Sequence, residues 1–223
     1  MVAKPYKLET RDRWLVATFA QPCAVMSWAI VNGGLQHTAQ VAWLYLRTNE
    51  IAGVDDVHDW MRAEMHAAGL AGAVGLMTTR RAHAWVEAFS EDSSARAWAV
   101  GTVGMSNALR AGDASGSYHC PGTINMLVCC SAALTAEAAT EVLCLMSEAK
   151  AAAVFEAGVA SVRSGLPATG TGTDYLALAW PATGERLRYG GKHTAAGAAV
   201  GRAAYDAVAN GVREWQRELA RTA

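Results

Sequence analysis

The sequence predicts a single α+β domain over residues 1–223, with a mixed, largely antiparallel sheet packed against two long C-terminal helices. Three observations predict it. Short apolar and β-branched runs follow one another between residues 73 and 103 with only polar turns between them, and strands joined without a helix pair antiparallel. Two stretches of the last third instead repeat apolar residues at the helical period. No linker, internal repeat or low-complexity segment divides the chain, and 223 residues, 52% of them hydrophobic, can bury one core without staples.

The elements follow in order. Tyr6 to Thr10 and Trp14 to Phe19 flank the polar turn Arg11-Asp12-Arg13 and read as a hairpin. Ala24 to Val31 reads as a buried strand ending at Asn32-Gly33-Gly34, and Val41 to Arg47 as a further extended segment. Asp55 to Ala68 places acidic residues in its first turn, apolar residues at Val57, Trp60, Met61 and Met65, and Gly69 after its end, which is an amphipathic helix. Ala73–Thr79, His83–Phe89 and Arg96–Val103 are the successive strands, and Arg110 to Pro121 is a surface loop. Met126–Ala132 is a buried run. Thr135 caps a helix reaching about Ser161, with Glu137, Glu141 and Glu148 on one face and Ala139, Val142, Met146, Ala153 and Ala157 on the other. Lys150 falls in the middle of that apolar face. The last helix begins at the cap Thr194, repeats Val200, Ala204, Val208, Val212, Trp215 and Leu219, and carries Gly197 and Gly201 where another element can approach closely.

Composition narrows the class of function. The 19 lysines and arginines nearly balance 20 aspartates and glutamates, so no net field points toward nucleic acid or an acidic membrane. Five cysteines, two of them adjacent and none in a C-x-x-C pair, argue against a disulfide framework or a zinc site. Met1 to Arg13 lacks the apolar core of a signal peptide, and no uncharged 18-residue stretch suggests a membrane span. The expectation is a cytoplasmic protein, its oligomeric state left open and a homo-oligomer included.

Five glycine-punctuated strand ends carry the polar groups: Asn32-Gly33-Gly34, Thr102 to Asn107, Gly122 to Asn125, Thr169 to Asp174, and Gly190 to Thr194. Loops at strand ends are where a rigid sheet presents polar groups to a ligand, so their convergence at one edge is expected. Asp174 can orient a base, bind a cation or cap the N–H groups of its own threonine-rich loop. His193, framed by glycines, can serve as general base or acid, and with Lys192 and a helix start forms a positive end suited to an oxyanion or carboxylate; a solvent-facing cap is the plainer alternative. Lys150 is costly on a buried face unless it meets a carboxylate or a ligand, or extends its tip into water. Asn107 and Asn125 can donate to a carbonyl or hold turns. Dinucleotide, phosphate-loop, H-E-x-x-H and G-x-S-x-G patterns are all missing or broken.

Taken together in this order, Asn32-Gly33-Gly34-Leu35, Thr102 to Ala108, Gly122 to Asn125, Ser147-Glu148-Ala149-Lys150-Ala151, Ala168 to Asp174 and Lys192-His193-Thr194 resemble the adenosylcobinamide amidohydrolase family, from about Ala24 to the C-terminal helix. The resemblance implies an enzyme of corrinoid salvage that hydrolyses the amide joining aminopropanol to the corrin ring, turning adenosylcobinamide into adenosylcobyric acid. It implies no metal or cofactor of the protein's own, since the cobalt arrives with the substrate. The implied catalytic set is His193, Asp174, Lys150 and Asn107: His193 or Asp174 activates water, Asn107, Asn125 and loop N–H groups polarise the carbonyl, and Lys150 or Lys192 offsets charge. Asn32, Gly33, Ser106, Thr123, Asn125, Thr169, Thr171, Thr173, Lys192 and Thr194 are the implied substrate contacts. Ser106 or Thr123 as direct nucleophile stays open beside water. Self-cleavage at Gly122-Thr123 would free an N-terminal threonine, but the sequence identifies no base beside it, so an uncut chain is the expectation. The tryptophan-rich N-terminal third departs from the family pattern and bears on which corrinoid is accepted. Two rivals remain: a corrinoid-binding or carrier protein without hydrolysis, and an amidohydrolase acting on another amide.

Overall fold

The computed structural model describes residues 3–47, 49–116 and 122–222. The end of the expected surface loop, from 117 to Pro121 and including Cys120, lies outside the described residues. The strands are β1 (Tyr6–Arg11), β2 (Trp14–Ser27), β3 (Gly34–Tyr45), β4 (Val74–Thr78), β5 (Val86–Asp92), β6 (Ala95–Val103), β7 (Ala108–Leu109), β8 (Ile124–Cys130), β9 (Ala133–Leu134), β10 (Gly170–Thr171), β11 (Tyr175–Pro181) and β12 (Arg186–Leu187). The helices are α1 (Val57–Ala67), α2 (Ala136–Glu156) and α3 (Ala195–Thr222). The main sheet runs β4-β3-β2-β11-β8-β6-β5 with β1 added beside β2, and β7 with β10 and β9 with β12 form two small ladders. A mixed, mostly antiparallel sheet carrying long helices late in the chain is therefore what the sequence builds.

Within the main sheet two pairs are parallel, β3 with β4 and β8 with β11, and the small β9–β12 ladder is parallel as well. Each is joined through a helix, α1 or α2, because a parallel neighbour can be reached only by a crossover. The antiparallel train expected from residue 73 onward holds for β5 and β6 but not for β4, whose partner is β3. Four boundaries also differ. The hairpin's second strand and the expected Ala24 strand are one bent strand, β2, which stops at Ser27, short of Val31. β3 begins at Gly34, well before Val41. β5 begins at Val86, leaving His83 at φ 68 in the turn before it. α2 stops at Glu156 because Gly158 turns the chain at φ 69.

Side-chain alternation assigns the layers. On β8, Met126 and Val128 join the core under α2 and α3, whereas Leu127 and Cys129 join a second core. β11 divides likewise, Leu176 and Leu178 from Ala177 and Ala179, and so does β6, Ala97 and Ala99 from Trp98 and Val100. The second core also holds Leu15 and Ala17 of β2, Val41 and Trp43 of β3, and Val74 and Leu76 of β4. The long β2–β3 hairpin therefore folds over the rest of the sheet, and the register shift between Thr18 and Cys23 marks the bend. Its outer face, with Trp14, Val16, Ala42 and Leu44, is covered by Met61 and Met65 of α1. Gly75 allows this, since a Cβ there would collide with the sulfur of Met65.

The helix signals behave as their chemistry requires. The Thr135 hydroxyl accepts from Ala138 N at 3.3 Å, and that of Thr194 accepts from Gly197 N at 3.0 Å. Gly197 sits against the carbonyls of Gly190 and Gly191, and Gly201 against Leu145 of α2, so α3 packs closely on both. Among the described residues no helix is long and apolar enough to cross a membrane.

Candidate active site

The parallel register of β8 and β11 sets Asn125 beside Tyr175, and so brings the loops preceding both strands together. Asp174 is the hub. Its side chain is 8% exposed and meets Lys150 Nζ of α2 at 2.5 Å, itself 14% exposed. The costly lysine of the apolar helix face thus has its carboxylate. The same carboxylate accepts Thr171 N at 3.0 and 3.1 Å, Thr171 Oγ1 at 2.5 Å and Ile124 N at 3.2 Å. It caps its own loop and pairs with the lysine at once, which unites two of the roles open from sequence. Gly170 is required beside it, because a Cβ there would run into Asp174 Oδ2 and lie 2.5 Å from Lys150 Nζ.

Thr123 lies one residue from that hub. Its hydroxyl donates to Thr173 O at 2.5 Å and lies 3.2 Å from Asn125 Oδ1, while Thr173 Oγ1 donates to Gly122 O at 3.1 Å. The Asn125 amide nitrogen donates to Met77 O at the end of β4, which ties the folded-over hairpin to the site and fixes which atom of the amide faces Thr123. The loop after β6 forms the opposite wall. Gly122 packs so tightly on it that a Cβ would stand 2.6 Å from Asn107 N and 2.9 Å from Ser106 N. Asn107 O accepts Gly172 N at 3.2 Å, and Thr169 Oγ1 accepts Ala111 N at 2.9 Å. Asn107 Oδ1 and Thr102 Oγ1 are buried without a hydrogen-bond partner among the described residues, and Thr102 is the cross-strand neighbour of Asn125. Such atoms mark places where a ligand or water would be welcome.

The structure therefore gathers Asn107, Ser106, Thr123, Asn125, Lys150, Thr169, Thr171, Thr173 and Asp174. Among the described residues, no hydrogen bond or ion pair joins the remaining residues named from sequence to this cluster. Asn32, at φ 55, spends its amide on Ala71 O at 3.0 Å and Ala73 O at 2.7 Å, and Gly33 is pressed against Ala29 O, so both shape the turn before β3. Thr194 caps α3. Lys192 pairs with Glu148 on the surface of α2, and His193 is exposed, with no hydrogen bond or ion pair to Asp174 or Lys150 among the described residues.

Two residues of the site were not among the site residues expected from sequence, although Trp28 belongs to the tryptophan-rich third expected to bear on corrinoid choice. Trp28, 43% exposed, donates its indole N–H to Asp174 O at 2.7 Å and offers an apolar face beside the hub, with exposed Leu35 on the same hairpin. Arg80 follows β4, lies against Gly104 with its Cδ 3.1 Å from where a Cβ would be, and pairs with Glu218 of α3 at 2.8 Å. Burial alone would push the Glu218 carboxyl up, but Arg80 and Arg81 more than offset that and hold it below its ordinary value. Burial likewise pushes the Tyr45 phenol, near Arg80, up to about 12.

Fold and site together define an α+β protein that concentrates buried polar groups, a hydroxyl and an ammonium–carboxylate pair among them, where two parallel strands begin. The chain belongs to the adenosylcobinamide amidohydrolase family, CbiZ, whose model matches residues 2–220. Membership of that family implies amidohydrolase activity in corrinoid salvage. No curated protein matches the chain. Among solved structures it is similar to the PH0078 protein from Pyrococcus horikoshii OT3, at 10% identity over 94% of this chain and 83% of that one, with a TM-score of 0.43.

Proposed function

We propose that the chain hydrolyses the amide joining aminopropanol to a propionate side chain of adenosylcobinamide, giving adenosylcobyric acid and free aminopropanol. The family match over residues 2–220 carries the reading. The site supports it by supplying what amide hydrolysis needs. The Thr123 hydroxyl is the nucleophile, since it lies inside the cluster whereas Ser106 points outward and is exposed. The amides of Ser106 and Asn107 border the ground on which the substrate carbonyl oxygen would sit, and together with Thr173 Oγ1 they stabilise its developing charge. Asp174 is a positioning residue, because four donors already occupy its oxygens and hold it in place. Lys150 fixes that carboxylate and, through it, the Thr171 to Thr173 loop. Trp28 and Leu35 receive the apolar edge of the macrocycle. The protein contributes no metal or cofactor to the reaction; the corrinoid brings its cobalt.

The test is incubation of purified, chelator-treated protein with adenosylcobinamide, followed by mass spectrometry. Adenosylcobyric acid and aminopropanol should appear in equal amounts. Tight binding without turnover would favour a corrinoid carrier, and neither binding nor turnover would reject corrinoids as the substrate class.

A further inference from the structure

Among the described residues, the nucleophile assigned above has no base in hydrogen-bond contact. Its two hydrogen-bond neighbours among the described residues are a peptide carbonyl, Thr173 O, and an amide oxygen, Asn125 Oδ1, and neither takes up a proton near neutral pH. Lys150 is committed to Asp174, and His193 is exposed without a bond to the cluster among the described residues. The Thr123 side chain is also almost fully enclosed, the residue being 7% exposed, and its predecessor Gly122 is packed against the Ser106 and Asn107 amides.

Both difficulties have one resolution, which rests on reading Thr123 as the nucleophile. We infer that the chain cuts itself between Gly122 and Thr123, and that the freed α-amine of Thr123 is the base of the mature enzyme. The bond is already dressed for the step. Thr173 Oγ1 donates to the Gly122 carbonyl oxygen at 3.1 Å and so polarises the carbon to be attacked. The Thr173 carbonyl holds the Thr123 hydroxyl from the other side at 2.5 Å. Ile124 N, the next amide along, is fixed by Asp174, so the residue that must move its hydroxyl is anchored on the strand side.

The chemistry balances without a co-reactant other than water. Thr123 Oγ adds to the Gly122 carbonyl carbon, the Gly122–Thr123 C–N bond breaks, and the hydroxyl proton passes to the departing nitrogen, leaving an ester. Water then hydrolyses that ester to a Gly122 carboxylate and a free Thr123 hydroxyl. An N-terminal amine carries a pKa of about 7.7–8.0, so it can accept the hydroxyl proton at neutral pH, as in other enzymes with N-terminal threonine. Departure of Gly122 vacates the place beside the Ser106 and Asn107 amides. The unpartnered Asn107 Oδ1 belongs to that same loop.

Intact-mass measurement of the purified full chain tests this independently of any substrate. Two species are expected, Met1–Gly122 and Thr123–Ala223, whose masses sum to the chain plus one water, with Thr123 at the new N-terminus. Thr123→Ser should still cut, and Thr123→Ala should stay whole. Selective acetylation of the new amine should lower hydrolysis by at least about 100-fold, the usual weight of a general base. A wild-type chain that stays whole overturns the inference, and if that chain still releases aminopropanol the substrate reading survives. A cut that persists in Thr123→Ala also overturns it, since another protease then made it. A chain cut as described but inert toward adenosylcobinamide would keep the self-cleavage and reject the substrate reading.

Discussion

Gly170→Ala probes how tightly the hub is held. The new Cβ would overlap Asp174 Oδ2 and lie 2.5 Å from Lys150 Nζ, so the ion pair and the glycine's backbone path cannot both persist. Forcing a methyl into a packed site costs about 1–3 kcal/mol. Separating a charge-assisted bond between groups only 14% and 8% exposed adds about 1.5–3 kcal/mol. The combined loss of roughly 2.5–6 kcal/mol corresponds to a fall in melting temperature of roughly 5–25 °C for a chain of this length. Thermal unfolding followed by circular dichroism measures it, with Gly191→Ala as control, because nothing lies within 4 Å of a Cβ at that position. In a Lys150→Met background the Gly170→Ala penalty should shrink, since one of the two colliding groups is gone. A Gly170→Ala melting point within about 2 °C of wild type would mean that the loop relaxes freely, and the rigid hub would have to be abandoned.

Other outcomes follow from the same geometry. Glu218→Gln should destabilise the protein at pH 7 and matter progressively less in acid. The lowered carboxyl contributes stability above its unfolded value of about 4.3 and loses it as pH falls through the folded value below that, so urea midpoints of variant and wild type should draw together as the pH is taken below about 4.3. Trp28→Ala should raise KM for adenosylcobinamide about tenfold with kcat nearly unchanged, because the indole supplies surface rather than chemistry. His193→Ala should leave turnover within about threefold of wild type, whereas Thr173→Val, which removes the side-chain donor to the oxyanion, should lower it by about 100-fold.

The limits of the sequence reading follow from which physical signals are local. A lysine on an apolar helix face demands a partner whatever the fold, so Lys150 was legible, and the glycine-threonine loop ending in Asp174 was visible as a turn needing caps. Which carboxylate answers Lys150 depends on how α2 crosses to β11, 24 positions on, and no spacing rule contains that. The parallel pairs were in principle readable, because strand, helix and strand in succession implies a crossover; β4 was misjudged by grouping it with its successors instead of with β3 before α1. The start of β3 was hidden by its polarity, with Gln36, His37 and Gln40 edging a half-exposed stretch. Arg80 and Trp28 could not be placed at all, since both reach the site only because the β2–β3 hairpin folds over the sheet. The one local hint of that bend is the break around Gln21-Pro22, where the register shifts.

The fold also explains why the threonine proposed as nucleophile can be built here. The first residues of β8 are pinned from three directions: by β11 in parallel register, by the β6 loop through Gly104 N to Thr123 O at 3.0 Å, and by β4 through Asn125. Gly122, just before Thr123, lies outside the strand; among the described residues it packs against two amides, and its carbonyl accepts from the hydroxyl of Thr173. Breaking the bond between these two residues would therefore leave β8 and its threonine in place while freeing the side that a substrate must enter. A threonine in mid-strand could not be uncovered without losing sheet pairing, and one in a free loop would not keep its hydroxyl aimed. The boundary between strand and loop satisfies both requirements, and Asp174, Lys150 and Gly170 make that boundary rigid.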